Sequence, residues 1–390
     1  MILRKPDFYD TFKCIASQCT DTCCIGWEID VDRNSQEVYN KVAGTFGEKL
    51  RANIEDGHFK LLPHDRCPFL TGGNLCEIYT NLGEGALCDI CREHPRFVEV
   101  YGDIMERGLG LCCEEVTRLL LAGNGPLAFV NEECDEPEDE LSEDDREICN
   151  EVLYEREYIF RTLADFDKPF GNRLYDAFGY TGENPFAPLS DTRGLYELLA
   201  KTESFGPAWD EALARIKARV DAAVTIQDAA QSKTAAGAIQ DAAQSKTAAG
   251  AIQDAAQSKT AAGVKNITGV KNAAGLQDEG YFSETESARL LAYLVYRHYA
   301  KCLFEGREDG KRNFALFFWN AVRFFTRELA GIPASETNKA SEINGFAELN
   351  SAAPDGQTAQ RVKINAIKIL SRQLEYSEEN MELIEKELDG

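Results

Sequence analysis

Apolar positions recur at three- and four-residue spacings over most of the second half of the chain, the period of a helix with one buried face. EVLYEREYIFRTLADF places Val152, Ile159, Leu163 and its tyrosines in that rhythm, and LYELLAKTESF and WDEALARIKARVDAAV repeat it. Ser283 and Glu286 have the spacing of a capping box opening ETESARLLAYLVYRHYAKCLF. RNFALFFWNAVRFFTRELAG is apolar on nearly every side, which predicts a central core helix. RVKINAIKILSRQLEYS and EENMELIEKEL complete the set. The first 125 residues read as short helices and irregular turns, with one better helix, CCEEVTRLLLAG, stopped at Gly123. No stretch sustains alternation at period two, so no large sheet is expected. The predicted fold is mainly α. A Cys-rich N-terminal domain (1–125) is followed by an acidic linker (126–147) and an α-helical C-terminal domain (148–390).

Two stretches interrupt the helical domain. Residues 226–264 are IQDAAQSKTAAGA three times over, the last Ala replaced by Val264, and VKNITGVKNAAG follows as a shorter near-repeat. At about 100° per residue, a 13-residue period turns each copy roughly 220° from the last. Ile226, Ile239 and Ile252 therefore point in different directions. Gly237, Gly250 and Gly263 each cost about 1 kcal/mol relative to Ala inside a helix. The region 226–275 reads as a surface insertion grown by duplication, without the buried face per repeat that a solenoid needs. Residues 333–358, polar and rich in Gly, Ser and Asn, read as a second loop.

Charge narrows the partners. The chain of 390 residues carries 42 basic and 66 acidic side chains, a formal charge of −24. This argues against nucleic acid, which calls for a basic footprint, and against an anionic membrane surface. Eleven of the carboxylates lie between Glu132 and Glu147, a run that reads as a solvated linker. The start, MILRKPDFYDTFKC, lacks the apolar core of a secretory signal, and no run is long enough to span a bilayer. The expected compartment is the cytoplasm, where structural disulfides are rare.

Cysteine is the unusual component. Ten of the 13 fall in the first 113 residues, in the pattern Cys14-x4-Cys19-x3-Cys23-Cys24, Cys67-x8-Cys76, Cys88-x2-Cys91, Cys112-Cys113. Cys134, Cys149 and Cys302 lie apart. Short spacings let two thiolates of one turn reach a single ion, so the groups read as metal ligands, for zinc or an iron–sulfur cluster. Spacing does not choose between these metals. The four histidines are scattered: His64 and His94 lie near cysteines, His58 repeats no zinc-finger spacing, and His298 reads as a satisfied core histidine. GxSxG, HExxH, P-loop and GxGxxG patterns are absent. A Cys-x3-Cys-x2-Cys triplet is nearly met by Cys19 and Cys23, but Cys24 follows directly.

FKCIASQCTDTCCIGWEID, CPFL…LCEIY, CREHPRF and LCCEEVTRLLL together resemble the flagellin lysine-N-methylases, within a broader group of zinc- or iron-chelating cysteine-cluster proteins. The resemblance covers residues 8–121 and extends to LLAYLVYRHY and SRQLEYSEEN. Eight cysteines match its pattern: Cys14, Cys19, Cys23, Cys24, Cys67, Cys76, Cys91 and Cys112. Cys88 and Cys113 depart from it, and the insertion at 226–275 is no part of it. The resemblance implies methyl transfer from S-adenosylmethionine to surface lysines of flagellin, in the cytoplasm. It also implies a Cys-bound iron–sulfur cluster, of the 4Fe–4S type, with zinc as the alternative metal. On that reading Trp27 either faces the sulfonium donor or is a core aromatic. Arg92 and Arg96 either grip the donor carboxylate or pair with nearby acids. The competing reading is a non-enzymatic metal-binding or redox-sensing protein that shares only the cysteine module.

Overall fold

The computed structural model describes residues 1–180, 192–221, 281–330 and 356–389, apart from 21, 64, 138–140, 205, 207, 208 and 219. The insertion at 226–275, most of the loop at 333–358 and His64 lie outside the described residues. Among the described residues the fold is mainly α, with one four-stranded sheet and one two-stranded hairpin.

Two hydrophobic cores organise the chain. The smaller one is built by residues 22–93. Here α1 (Arg33–Lys41), α2 (Gly44–Ala52), a two-stranded hairpin of β2 (Ile54–Glu55) and β3 (His58–Phe59), α3 (Glu77–Leu82) and α4 (Asp89–Glu93) surround Tyr39, Leu50, Phe59, Phe69 and Ile78. Asp32 starts two helices at once. Its Oδ1 accepts from Ser35 N at 2.9 Å as the cap of α1, and its Oδ2 accepts from Asp89 N at 2.9 Å at the head of α4. That link fixes the Cys88–Cys91 turn against the body of the small core.

The larger core takes in the rest. β4 (Arg96–Tyr101) and β5 (Ile104–Leu109) form an antiparallel pair; β5 then runs parallel to β1 (Ile2–Pro6), and β6 (Phe129–Glu133) closes the sheet antiparallel to β1. The sheet escaped a period-two reading because its strands do not alternate in the usual way. In β5 neighbouring residues on both faces are buried, and one of them is Glu106. Its carboxylate is held by Arg156, also fully buried, with Nη1 donating to Oε2 at 2.9 Å. β6 is an exposed edge strand carrying Glu132 and Glu133, so the acidic run expected to be linker begins as sheet. Charges on such an edge deter pairing with another chain.

The predicted helices are found as α5 (Glu114–Leu121), α6 (Glu143–Leu163), α7 (Phe170–Phe178), α8 (Thr192–Leu199), α9 (Glu284–His298), α10 (Glu308–Ala330), α11 (Gly356–Glu375) and α12 (Glu378–Leu388). The capping box is made: Ser283 Oγ accepts from Glu286 N at 3.1 Å and Glu286 Oε2 accepts from Ser283 N at 2.8 Å. α10 is buried on every side from Phe314 to Thr326, as its composition predicts. Helix α9 is bolted to the sheet by hydroxyls: Tyr293 Oη accepts from Leu109 N at 2.6 Å, and Tyr296 Oη donates to Arg4 O at 2.9 Å. Gly123, which stops α5, lets Arg289 of α9 pass close behind it. A Cβ there would sit 2.1 Å from the Arg289 guanidinium carbon, whose Nε donates to Leu120 O at 2.7 Å.

Candidate functional site

The cysteines of the first 113 residues fall into two neighbourhoods. None of the 13 in the chain forms a disulfide. Cys24, Cys67, Cys76, Cys88 and Cys91 all belong to or pack against the small core. Cys67 N donates to Cys24 O at 2.9 Å, and Cys91 N donates to Cys88 O at 3.0 Å. Their thiols feel one another. Burial first, then neighbours that include Cys24, Cys76 and Cys88, pushes the Cys67 thiol up to about 12. Cys91 is pushed far up, first by its hydrogen bond with Cys88, then by burial, then by Cys88, Cys24 and Cys67.

The second neighbourhood lies where the small core meets the helices. Cys112 is buried and Cys113 half-buried at the head of α5, and Cys113 packs against the large core. Cys19 Sγ donates to Glu114 Oε2, in the first turn of α5, at 3.5 Å, and Thr20 N donates to the same oxygen at 3.0 Å. Cys14 and Cys113 act on the Cys23 thiol, after its hydrogen bond to Cys24 and its burial. The hydrogen bond that Cys23 gives to Cys24 draws the Cys24 thiol down to about 7. Among the described residues, no three His, Cys, Asp or Glu side chains converge on one point to hold an ion. The donor set is rich in thiols outside disulfides, the ligand type that a thiophilic metal takes.

Around Cys112 the chain assembles polar groups from distant segments. Its sulfur lies 2.9 Å from Tyr376 Oη and 4.0 Å from His94 Nε2. The tyrosine ring is 44% exposed while its hydroxyl turns inward. Burial, then the charges of Arg372 and Arg297, holds His94 down at about 4, so it is neutral at pH 7. Arg297 is buried; its Nε pairs with Glu375 Oε1 at 3.1 Å, and its Nη1 has no hydrogen-bond partner. Glu375 is held at about 2: burial opposes its charge, but Arg297 and then His298 outweigh that. His298 lies 2.7 Å from the same carboxylate oxygen and is buried, as a satisfied core histidine should be. Gly110 permits this convergence. A Cβ there would fall 2.1 Å from Tyr376 Oη and 3.3 Å from both Arg297 Nη1 and Cys112 Sγ.

The other sequence candidates occupy the rim. Trp27 is half-buried, donates from Nε1 to Cys23 O at 2.6 Å and lies 5.6 Å, centroid to centroid, from His94. It thus reaches the second neighbourhood. Arg92 pairs with Asp89 and Glu93 on the outer side of α4, and the exposed Arg96 sits 5.4 Å over the Phe12 ring. Neither is brought to Cys112. His58 pairs with Glu28 and Asp30, away from the thiols. The residues missed from sequence are Glu114, Arg297, Arg372, Glu375 and Tyr376. A signal for four of them was present, because LLAYLVYRHY carries Arg297 and SRQLEYSEEN carries Arg372, Glu375 and Tyr376.

Over 142 residues the chain is 31% identical to a lysine-N-methylase of Salmonella typhimurium, covering 33% of this chain and 34% of that protein. A lysine-N-methylase of Salmonella choleraesuis matches to the same extent. The flagellar biosynthetic protein FliU of Salmonella muenchen is 31% identical over 138 residues, 80% of its length and 33% of this chain. The match thus spans about a third of the length of the lysine-N-methylases. No family model matches the chain. No solved structure matches it. Among the described residues, no helix is long and apolar enough to cross a membrane.

Proposed function

This chain belongs to the flagellin lysine-N-methylase family, and we propose that it is a cytoplasmic protein-lysine N-methyltransferase that modifies surface lysines of flagellin from S-adenosylmethionine. The observation that carries this reading is the 31% identity to proteins named lysine-N-methylase. The convergence of thiols, a half-buried tryptophan and a buried arginine at one junction supports it.

A lysine amine has an unperturbed pKa near 10.4, so the reaction needs it deprotonated and aligned with the methyl carbon and sulfur of the donor. Trp27 offers its ring face to the sulfonium, an attraction of about 0.5–2 kcal/mol. Arg92 and Arg96, at the rim, are the residues for the donor carboxylate, in exchange for their present acidic and aromatic neighbours. His94, neutral beside Cys112, has a ring nitrogen able to accept a proton. Cys14, Cys19, Cys23, Cys24, Cys67, Cys76, Cys91 and Cys112 are the residues for metal. When bound, an iron–sulfur cluster supplies iron that can chelate the amino and carboxylate groups of the donor. Burial pushes the Cys112 thiol up, and Tyr376, Arg297 and Arg372 pull against that. The formal net charge of −24 favours approach of lysine-bearing segments, and salt should weaken that approach.

The test is direct. Protein loaded anaerobically with iron and sulfide is incubated with S-adenosylmethionine and flagellin, and tryptic flagellin peptides are weighed. Methyl increments on lysine are expected. A cluster-bearing preparation that adds none overturns the reading.

A further inference from the structure

We infer that the outward face of α6 is a docking surface for a lysine-bearing segment of the protein substrate. The inference rests on the proposed reading of flagellin as that substrate, and not on the metal or on the transfer step.

Three observations carry it. The first is a helix face left open. α6 turns Cys149, Val152, Arg156, Ile159, Phe160 and Leu163 inward. On the opposite side Glu147, Glu151, Tyr154 and Tyr158 stand at i, i+4, i+7 and i+11, one stripe along the helix. Tyr154 is 71% exposed and Tyr158 47%, and Ile148, beside the stripe, is 53% exposed. A lone apolar side chain on a surface is ordinary. Three on one short stretch of helix, two of them aromatic, make a patch of the kind that meets a partner.

The second is charge. Among the described residues, Glu143, Asp144, Glu147 and Glu151 make no ion pair. Further along the same helix, Glu155 pairs with Arg312 at 3.1 Å and Glu157 pairs with Arg4. The acids that flank the buried face are thus neutralised, and those on and beside the outward stripe are not. Arg146 is the one cation between Glu143 and Tyr154.

The third is shape. Glu143, Arg146, Glu147, Asn150, Glu151 and Tyr154 line an open hollow of about 530 Å³. Carboxylates beside an aromatic ring fit a lysine side chain, its ammonium among the acids and its methylene stem on the ring. The Tyr154 ring already takes a cation on its face, since Arg161 lies 5.9 Å over its centroid. The carboxylates repel nucleic acid, and the net charge of −24 disfavours a second copy of this chain.

The face is tied to the thiol junction through one strand. Arg156, on the inner side of α6, holds Glu106 of β5. Four residues on, Gly110 lies against Tyr376 and Cys112.

The experiment measures binding apart from transfer. Full-length, metal-loaded protein is titrated with flagellin, native and lysine-acetylated, in a calorimeter, and helical circular dichroism is recorded for each variant. The pairs Glu147→Gln, Glu151→Gln and Tyr154→Ser, Tyr158→Ser should each bind native flagellin about 5- to 30-fold more weakly with helicity intact. In transfer assays they should raise KM for flagellin and leave kcat and donor affinity unchanged. The pair Glu48→Gln, Glu84→Gln removes equal charge from exposed positions elsewhere and should bind as wild type does. Acetylation of flagellin should weaken binding to wild type, and salt should weaken it more for wild type than for the Glu147, Glu151 pair. A carbodiimide, which joins carboxylates to amines, should link flagellin lysines to Glu147 or Glu151 of the wild-type protein, a readout that needs no variant to fold. No binding of flagellin by wild type, equal affinity of wild type and the α6 pairs, an equal loss in the control pair, or links confined to other carboxylates overturns the inference. Protein that binds flagellin on this face yet transfers no methyl group supports it while contradicting the proposed reaction.

Discussion

At the level of single residues, the junction depends on contacts that close packing makes sensitive. Gly110→Ala would drive a methyl group against Tyr376 Oη, and the exposed tyrosine ring has room to swing outward. The expected cost is about 1–3 kcal/mol. Tyr376→Phe removes the hydroxyl that is struck, so the double variant should recover part of that loss, as a double-mutant cycle in urea would read. Additive effects would show that the two do not meet. Trp27→Ala should weaken donor binding about 2- to 30-fold, with Trp27→Phe much milder, in calorimetric titration with S-adenosylmethionine. Acid should destabilise the fold. His94 and His298 are held at about 4, and Glu375 at about 2, each below its unfolded value. The unfolded chain therefore takes up more protons, for the histidines between about pH 6.5 and 4 and for the carboxylate below about 4.5. Unfolding free energies from urea titration should fall from pH 7 to pH 5, by up to ~1.4 kcal/mol per pH unit for each histidine. A flat profile would contradict the assignment of neutral, buried rings.

Among the elements, helices were far easier to read than strands. α10 announces itself by an apolar run longer than one face requires, and α9 by Ser283 and Glu286. The sheet was hidden because its inner strand carries Glu106 and its edge strand is acidic, so hydropathy sees neither. Only the partner of each charge explains it, and that partner is distant: Arg156 is 50 residues from Glu106. Glu106→Gln should leave a guanidinium buried without its countercharge and cost about 3–5 kcal/mol. Replacing the pair by Leu and Met should be close to neutral in the same denaturation assay. If the single and double changes cost the same, the ion pair is not what joins the sheet to α6.

On the scale of the whole molecule, the cysteine pattern gathers thiols in the N-terminal region but does not say which of them meet. Cys24 meets Cys23, its neighbour in sequence, and also Cys91, 67 residues away. Spacing cannot report that, because it depends on where the small core ends and the helices begin. The −24 charge proved less specific, since the acidic run is in part an edge strand and in part the capped start of α6, where Ser142 Oγ accepts from Asp145 N at 3.1 Å. The repeats at 226–264 lie outside the described residues. Their deletion should leave metal content and transfer unchanged, because lengthening or shortening a surface loop changes closure entropy only slowly. The central claim, a methyl transferase whose thiol junction serves the reaction, is tested most directly by donor labelled in its methyl group. Metal-loaded wild type should place label on flagellin lysines and Cys112→Ser should place almost none; equal labelling by both, or none by the wild type, would contradict it.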